Sequence, residues 1–406
     1  MKLNTGLVTW AARATFVACV GTAGSAWAAD DEVAVLGLWP FSGPYADVGP
    51  LLDMGAKVAL EEVDYKVAGK KIKYITRDSE TKAGTATRRA QEAIDGEKVK
   101  FMVGPWSSGV GLAVTEIAQK NKIMYVFSGG TEDISGKRCH RYAFQWAAPA
   151  YTAVDANLKA FKKTYPNAKS LYLFIADYAF GWSLQKYVEV LAPKYGLTIA
   201  GADRHPLGHR EFSSYITKAV ATNPDAIFMV NFGIDAVTAL RQIHGFGFTP
   251  NKPVIMSWSS GVEELIQLDP EMRNNLLVGA NYYWTIDTPE NKAFLAAYQK
   301  KSNGVPPGYA PAAGYAMMKT TLNAMASANS TEPAKAVEAL EKFKGQTFLG
   351  DTAVNPKTHQ IERPYFVLKT KPKAEMKGEY DFGTVIEQST LMQPTELNEC
   401  KDIGAL

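Results

Sequence analysis

Two runs of alternating apolar strands and amphipathic helices follow one another along this chain, and that alternation most narrows what it can fold into. Such a rhythm builds parallel sheets with helical crossovers. In the first run, residues 33–38 read as a strand. Residues 49–63 read as a helix with Leu52, Ala56, Ala59, Leu60 and Val63 on one face. Residues 72–76, 83–94, 101–104, 110–119 and 124–127 continue the pattern. A second run starts near Tyr151. It passes through helices at 154–165, 183–191, 212–221 and 236–245, and strands at 171–175, 197–201, 226–230 and 254–257. Two successive runs imply two similar α/β lobes. From Thr288 onward the pattern turns mostly helical, at 293–300, 312–326 and 334–343. Residues 365–368 then form a strand with no helix of its own. A late strand of that kind is expected to join an existing sheet, so the chain crosses between lobes more than twice.

Three Gly/Ser-rich turns sit at strand ends in the first run. They are Phe41-Ser42-Gly43-Pro44-Tyr45, Trp106-Ser107-Ser108-Gly109 and Ser128-Gly129-Gly130-Thr131. Ligands of α/β sheets bind outside the carboxyl ends of strands, where backbone N–H groups and helix N-termini are free. Small residues let a ligand approach the backbone, and hydroxyls add donors. One such turn is read as a simple connection. Three in strand order, two of them carrying large aromatics, point to a binding cleft.

Formal net charge is +3. Lys2 and Arg13 are the only charges in residues 1–28, so the remainder carries 42 basic and 41 acidic residues. That balance gives no reason to expect nucleic acid or an anionic membrane as partner. Residues 1–28 read as a secretory signal: two basic residues, the apolar run 14–20, and Ala26-Trp27-Ala28 as a small-x-small cleavage site. A membrane anchor is disfavoured by the shortness of the run. A lipid-modified Cys19 stays open, although Phe16-Val17-Ala18 matches a lipoprotein cleavage box poorly. The mature chain is expected to be exported and soluble. With Cys19 removed, Cys139 and Cys400 remain, and in an oxidising compartment they suggest one disulfide, against two separate buried thiols.

Enzyme signatures are scarce. The chain has no G-x-x-x-x-G-K-[ST], H-E-x-x-H or G-x-S-x-G, and no G-x-G-x-x-G after the first strand. Of five histidines, only His205 and His209 are spaced i,i+4, and Pro206 and Gly208 between them argue for a loop. Asp225 and Asp235 flank a strand and read as a turn residue and a first-turn helix acid. A non-enzymatic protein without metal or cofactor is expected.

The order Pro40-Phe41-Ser42-Gly43-Pro44, Asp78-Ser79-Glu80-Thr81, Gly104-Pro105-Trp106-Ser107-Ser108-Gly109 and Ser128-Gly129-Gly130-Thr131 resembles the leucine/isoleucine/valine-type periplasmic solute-binding proteins of ATP-driven importers. Asp177-Tyr178-Ala179-Phe180-Gly181, Glu211-Phe212-Ser213, Arg241-Gln242-Ile243 and residues 308–315 extend the resemblance over roughly residues 31–390. It implies a type I periplasmic binding protein fold: two Rossmann-like lobes with parallel sheets, joined by three hinge crossings, with ligand enclosed between them. The lobes are then expected as 29–147 plus 285–360 and 148–284 plus 361–390, with hinges near 147–150, 283–287 and 359–363. Residues 391–406 form a tail tied back by Cys400. The implied partners are a small carboxylate ligand and an inner-membrane ABC permease, with the binding protein a monomer.

The resemblance also implies roles. Ser108, Gly129 and Thr131 match the groups that hold a ligand carboxylate, and Phe180 takes the place of a ligand-packing tyrosine, with Tyr178 nearby. The glutamate that pairs with an amino-acid ammonium is matched by Ser260. Glu263 and Glu264 lie just beyond, in a stretch read as helix. Trp39, Phe41, Tyr45, Trp106, Phe180, Phe232, Trp258 and Tyr283 give the cleft region many rings, about half of them expected to be ordinary core. Ser107 and Gly130 complete the candidate site. Carboxylate-holding turns, a missing ammonium partner and abundant rings suggest an aromatic acid of the benzoate, hydroxybenzoate, phenylacetate or cinnamate type. A branched-chain amino acid or small amide is the alternative.

Overall fold

The computed structural model describes residues 1–2, 31–249 and 251–406. The export-signal reading of residues 1–28, Cys19 included, lies outside them apart from Met1 and Lys2. Strand β1 (Glu32–Trp39) is buried at every position after Glu32. A strand apolar throughout needs helices on both faces of its sheet, and the chain supplies them in turn. Helix α1 (Gly49–Glu61), the paired strands β2 (Lys66–Val67) and β3 (Lys70–Asp78), α2 (Ala83–Glu97), β4 (Phe101–Val103), α3 (Ser108–Asn121), β5 (Met124–Phe127) and β6 (Ala143–Gln145) follow. The six strands form one sheet in the order β2-β3-β1-β4-β5-β6, parallel except between β2 and β3.

The second run begins at α4 (Ala150–Thr164) and continues through β7 (Ser170–Ala176), α5 (Ala179–Leu191) and β8 (Thr198–His205). Next come α6 (Ser213–Ala221), β9 (Ala226–Val230), α7 (Ile234–Gly245), β10 (Val254–Ser259), the short α8 (Val262–Leu265) and β11 (Leu276–Ala280). The chain then returns to the first lobe with α9 (Pro289–Gln299), α10 (Tyr309–Ala328) and α11 (Pro333–Leu340). Helices α1 and α10 lie so close that a Cβ on Gly55 would come within 1.9 Å of the Pro311 carbonyl oxygen, and one on Gly314 within 2.0 Å of that of Leu52. Only glycine fits at either contact.

A small antiparallel sheet of β12 (Lys344–Thr347), β13 (Gly350–Val354) and β14 (Ile361–Glu362) follows. The late strand, β15 (Tyr365–Thr370), joins the second sheet antiparallel to β11, and β16 (Gly383–Ser389) pairs beside it. That sheet therefore has seven strands, in the order β16-β15-β11-β10-β9-β7-β8. The sheets are parallel-dominated as expected, and the antiparallel pairs of the second sheet lie at this edge, where the late strands enter without helical crossovers.

The chain passes between the two sheets after β6, after β11 and after β14. One side chain joins all three passages. Arg363, 1% exposed, donates from Nε to the Trp146 carbonyl (3.0 Å) and from Nη1 to those of Asn281 (3.0 Å) and Pro364 (2.8 Å). Its Nη2 donates to Asn281 Oδ1, which also accepts from the Ala148 amide (3.0 Å). The Cys139–Cys400 disulfide is present and fastens the tail to the loop after β5.

Candidate ligand-binding cleft

A small cavity of about 20 Å³ lies between the carboxyl ends of the two sheets. The first lobe contributes Trp106, Ser108, Ser128, Gly129, Gly130 and Tyr309, and the second Tyr178, Phe180, Phe232 and Trp258. The turn after β4 begins at Gly104, whose φ of 94° suits glycine. It places Ser107 at the N-cap of α3, so Ser108 opens the helix facing the turn after β5. Ser108 Oγ accepts from the Thr131 amide at 3.2 Å, which leaves its hydroxyl proton to donate elsewhere. Gln145 Nε2 donates to the Gly129 carbonyl at 2.6 Å and fixes that turn from below. Tyr309 OH lies 2.8 Å from Ser128 Oγ and donates to the Ser128 carbonyl at 2.6 Å.

Rings from both lobes meet over this turn. Trp106 lies 5.3 Å from Phe232 and 4.9 Å from Tyr309 between centroids, and Phe180 meets Trp258 edge-on at 5.7 Å. Gly130 lets the Phe180 ring approach the main chain, since a Cβ there would sit 2.3 Å from it. Such offset and edge contacts are the preferred geometries of aromatic pairs.

Eight of the candidate residues therefore line one cavity: Trp106, Ser108, Gly129, Gly130, Tyr178, Phe180, Phe232 and Trp258. Five do not. The Phe41 amide bonds Asp78 Oδ1 (3.0 Å), which ties the first turn to the end of β3 instead. Tyr45 meets the Phe232 ring edge-on at 6.3 Å, with its hydroxyl 2.6 Å from that of Tyr178. Ser107 serves as the cap residue of α3, its carbonyl accepting from the Gly111 amide. Thr131 Oγ1 is engaged by the Asp133 amide and by Ser183 Oγ. Ser260 is buried, with its carbonyl accepting from the Tyr309 amide at 2.8 Å. Of the other rings, Trp39 is core, bonded to Tyr74 OH, and Tyr283 belongs to the core of the second lobe. Ser128 and Tyr309 were not among the candidates. Tyr309 comes from the start of α10, far along the chain from both runs, inside the 308–315 segment of the resemblance.

Neither Glu263 nor Glu264 lines the cavity, and Glu263 Oε2 is buried without a hydrogen-bond partner. Glu263 Oε1 accepts from the Gly308 amide at 2.8 Å. Glu264 accepts from the Gly233 amide at 2.6 Å and from Ser259 Oγ at 2.5 Å. Burial pushes Glu263 up to about 8 and Glu264 up to about 7. Among the described residues no group of three or more His, Cys, Asp and Glu is arranged to hold a metal ion, and no helix is long and apolar enough to cross a membrane.

A donor of this kind can be tested directly. Ser108→Ala removes one hydroxyl donor from a desolvated turn, and a hydrogen bond to a charged group contributes about 1.5–3 kcal/mol. Affinity for a carboxylate ligand is expected to fall roughly 10- to 150-fold by calorimetry, with a modest fall in the melting temperature of the free protein because the Thr131 amide loses its acceptor. An unaltered affinity would remove Ser108 from the ligand's contacts.

Comparison with known proteins places the cleft in context. The family described as periplasmic binding protein matches residues 32–375. The Leu/Ile/Val-binding protein homolog 7 of Brucella suis biovar 1 (strain 1330) is 24% identical over 357 residues, which cover 82% of this chain and 88% of that one. An amino acid ABC transporter substrate-binding protein from Pseudomonas fluorescens Pf-5 superposes with a TM-score of 0.86 at 30% identity, covering 91% of this chain and 98% of its own. An R. palustris ABC transporter solute-binding protein in complex with 4-hydroxybenzoate shares the fold, with a TM-score of 0.80 at 22% identity and coverage of 90% and 99%.

Proposed function

The chain belongs to the periplasmic binding protein family, and from that premise we propose that it is the substrate-binding component of an ABC importer specific for a small aromatic carboxylate. The observation that carries this reading is the cavity lining. It holds six rings, two serines and two glycines, and no charged side chain. An α-amino acid would bring an ammonium group into that space. A desolvated charge without a partner costs several kcal/mol, and Glu263 and Glu264 are turned to the main chain. A carboxylate needs no arginine there, because Ser108 and the main chain of the Gly129–Gly130 turn can hold it. The rings then stack on the ligand's own ring. Benzoate, hydroxybenzoate, phenylacetate and cinnamate are the fitting classes. A branched-chain amino acid or small amide is the second reading, favoured by the names of the relatives.

In this reading the mature protein is an exported periplasmic monomer without enzymatic activity. Ligand binds the first lobe (29–147 plus 285–360), and the second lobe (148–284 plus 361–390) closes over it by rotation at the hinges. The closed form is what the membrane permease receives. Thermal-shift measurements on the mature protein test the ligand class. A ligand present at 100 times its dissociation constant stabilises by about 2.7 kcal/mol. Aromatic acids are expected to raise the melting temperature, and leucine, isoleucine and valine to leave it unchanged. Stabilisation by amino acids alone would overturn the aromatic reading.

A further inference from the structure

Arg363 is a buried cation with no anionic partner. Its four acceptors are the carbonyl oxygens of Trp146, Asn281 and Pro364 and the side-chain amide oxygen of Asn281, all neutral. Among the described residues no carboxylate lies within ion-pair distance of it. Buried charges are ordinarily paired, because neutral dipoles replace only part of the lost hydration. Burial lowers its pKa to about 10, which leaves it charged at neutral pH.

Its neighbour makes the missing partner conspicuous. Asn281 is fully buried, its Oδ1 accepts from Arg363, and its Nδ2 has no hydrogen-bond partner. Aspartate at this position would keep the Oδ1 bonds, neutralise the guanidinium and remove an orphaned amide. The chain has asparagine there and leaves the charge uncompensated.

Two stacked rings, Trp146 and Tyr309, link the charge to the cleft. The guanidinium carbon lies 4.1 Å from the centre of the Trp146 ring. Trp146 stacks on Tyr309 at 6.2 Å and 15°, and its amide donates to the Phe127 carbonyl at 2.7 Å, one residue before the Ser128–Gly130 turn. Tyr309 in turn bonds Ser128. Resting on the reading of the ligand as an anion, we propose that Arg363 is a charge-selecting residue, whose buried guanidinium behind Trp146 favours a carboxylate over a neutral ligand at the Ser128–Gly130 turn. At a separation on the order of 10 Å and an effective dielectric of about 20, one unit charge changes affinity roughly 10- to 20-fold.

Calorimetry with benzoate and its neutral isostere benzamide tests this on three forms: the mature protein, Asn281→Asp and Arg363→Gln. Asn281→Asp cancels the charge while keeping the hydrogen bonds between the chain passages. It is expected to weaken benzoate about tenfold and to leave benzamide within about twofold. Arg363→Gln is expected to give the same selective loss, and Arg363→Lys to restore most of it. A purely structural role at the hinge would move both ligands together, and that result overturns the proposal. If Arg363→Gln does not fold, Asn281→Asp decides alone. Benzoate bound by the mature protein with a preference that survives Asn281→Asp overturns this proposal and leaves the ligand reading standing. Failure of the mature protein to bind any aromatic acid overturns both.

Discussion

Cys400→Ser is expected to lower the stability of the mature protein by roughly 5 kcal/mol. The bridge to Cys139 spans a sequence separation of 261 residues. In the chain-entropy model a loop of 100 residues already corresponds to about 4.7 kcal/mol, and the term grows slowly beyond that. The bridge also has a structural consequence. The tail leaves the second sheet at β16 and stays against the second lobe at first. Thr152 Oγ1 donates to the Leu391 carbonyl at 2.5 Å, and Gln393 Nε2 to Tyr187 OH at 2.8 Å. It then reaches the first lobe, where Asn398 Nδ2 donates to the Ser135 carbonyl and Cys400 meets Cys139. The disulfide is thus a fourth covalent link between lobes already joined by three chain passages. For a chain of this size the loss corresponds to a fall in melting temperature of roughly 5–8 °C. Denaturant unfolding should also show a larger m-value, because the unfolded chain expands when the loop is released. A melting temperature unchanged in both Cys400→Ser and the reduced protein would show that the bridge constrains nothing that folding does not.

Much of this architecture was legible from pattern alone, for physical reasons that also explain the gaps. β1, β5, β9 and β10 are buried at nearly every position, so their sequences are uninterrupted apolar runs. β16 is half-exposed at a sheet edge and reads Gly-Thr-Val-Ile-Glu-Gln-Ser, which carries no such signal. β12 is likewise polar and partly exposed. The serine and glycine turns after β4 and β5 could be recognised because their composition is set by main-chain geometry, and both reach the cavity. The first turn could not be separated from them by composition. Its place is set by Asp78, which accepts from the Phe41 and Ser42 amides and holds that turn away. Thr131 and Ser260 have suitable side chains, but their local bonds decide where they stand. Tyr309 and Arg363 act through contacts with residues more than 100 positions away, and no spacing rule reaches that far.

The Glu263–Glu264 pair makes stability fall as pH rises. Both carboxyls are buried, and burial raises the first to about 8 and the second to about 7, with Glu264 also disfavouring ionisation of Glu263. Glu263 in turn raises the neighbouring Tyr282 and Tyr298 hydroxyls, both already pushed up by burial. In the unfolded chain a glutamate ionises near 4.3. The folded state therefore holds protons that the unfolded state has released, and the stabilisation is complete below about pH 4.3. It is lost progressively as pH climbs through the folded values, over roughly pH 4.5–8. At about 1.4 kcal/mol for each unit by which a pKa is raised, the pair is worth several kcal/mol over that window. Glu264→Gln is the sharpest test. Its Oε1 can still accept from Gly233 and its amide can donate to Ser259 Oγ, so it copies the neutral acid. At about pH 4 the variant should match the parent. At pH 8.5 it should be the more stable by roughly 3 kcal/mol, read from urea midpoints at the two pH values. Equal pH slopes for parent and variant would mean that Glu264 ionises in the folded protein as it does in water. The bonds it makes to Gly233 and Ser259 would then be those of a solvated carboxylate, and a negative charge would stand beside the cleft where an amino-acid ammonium could find it.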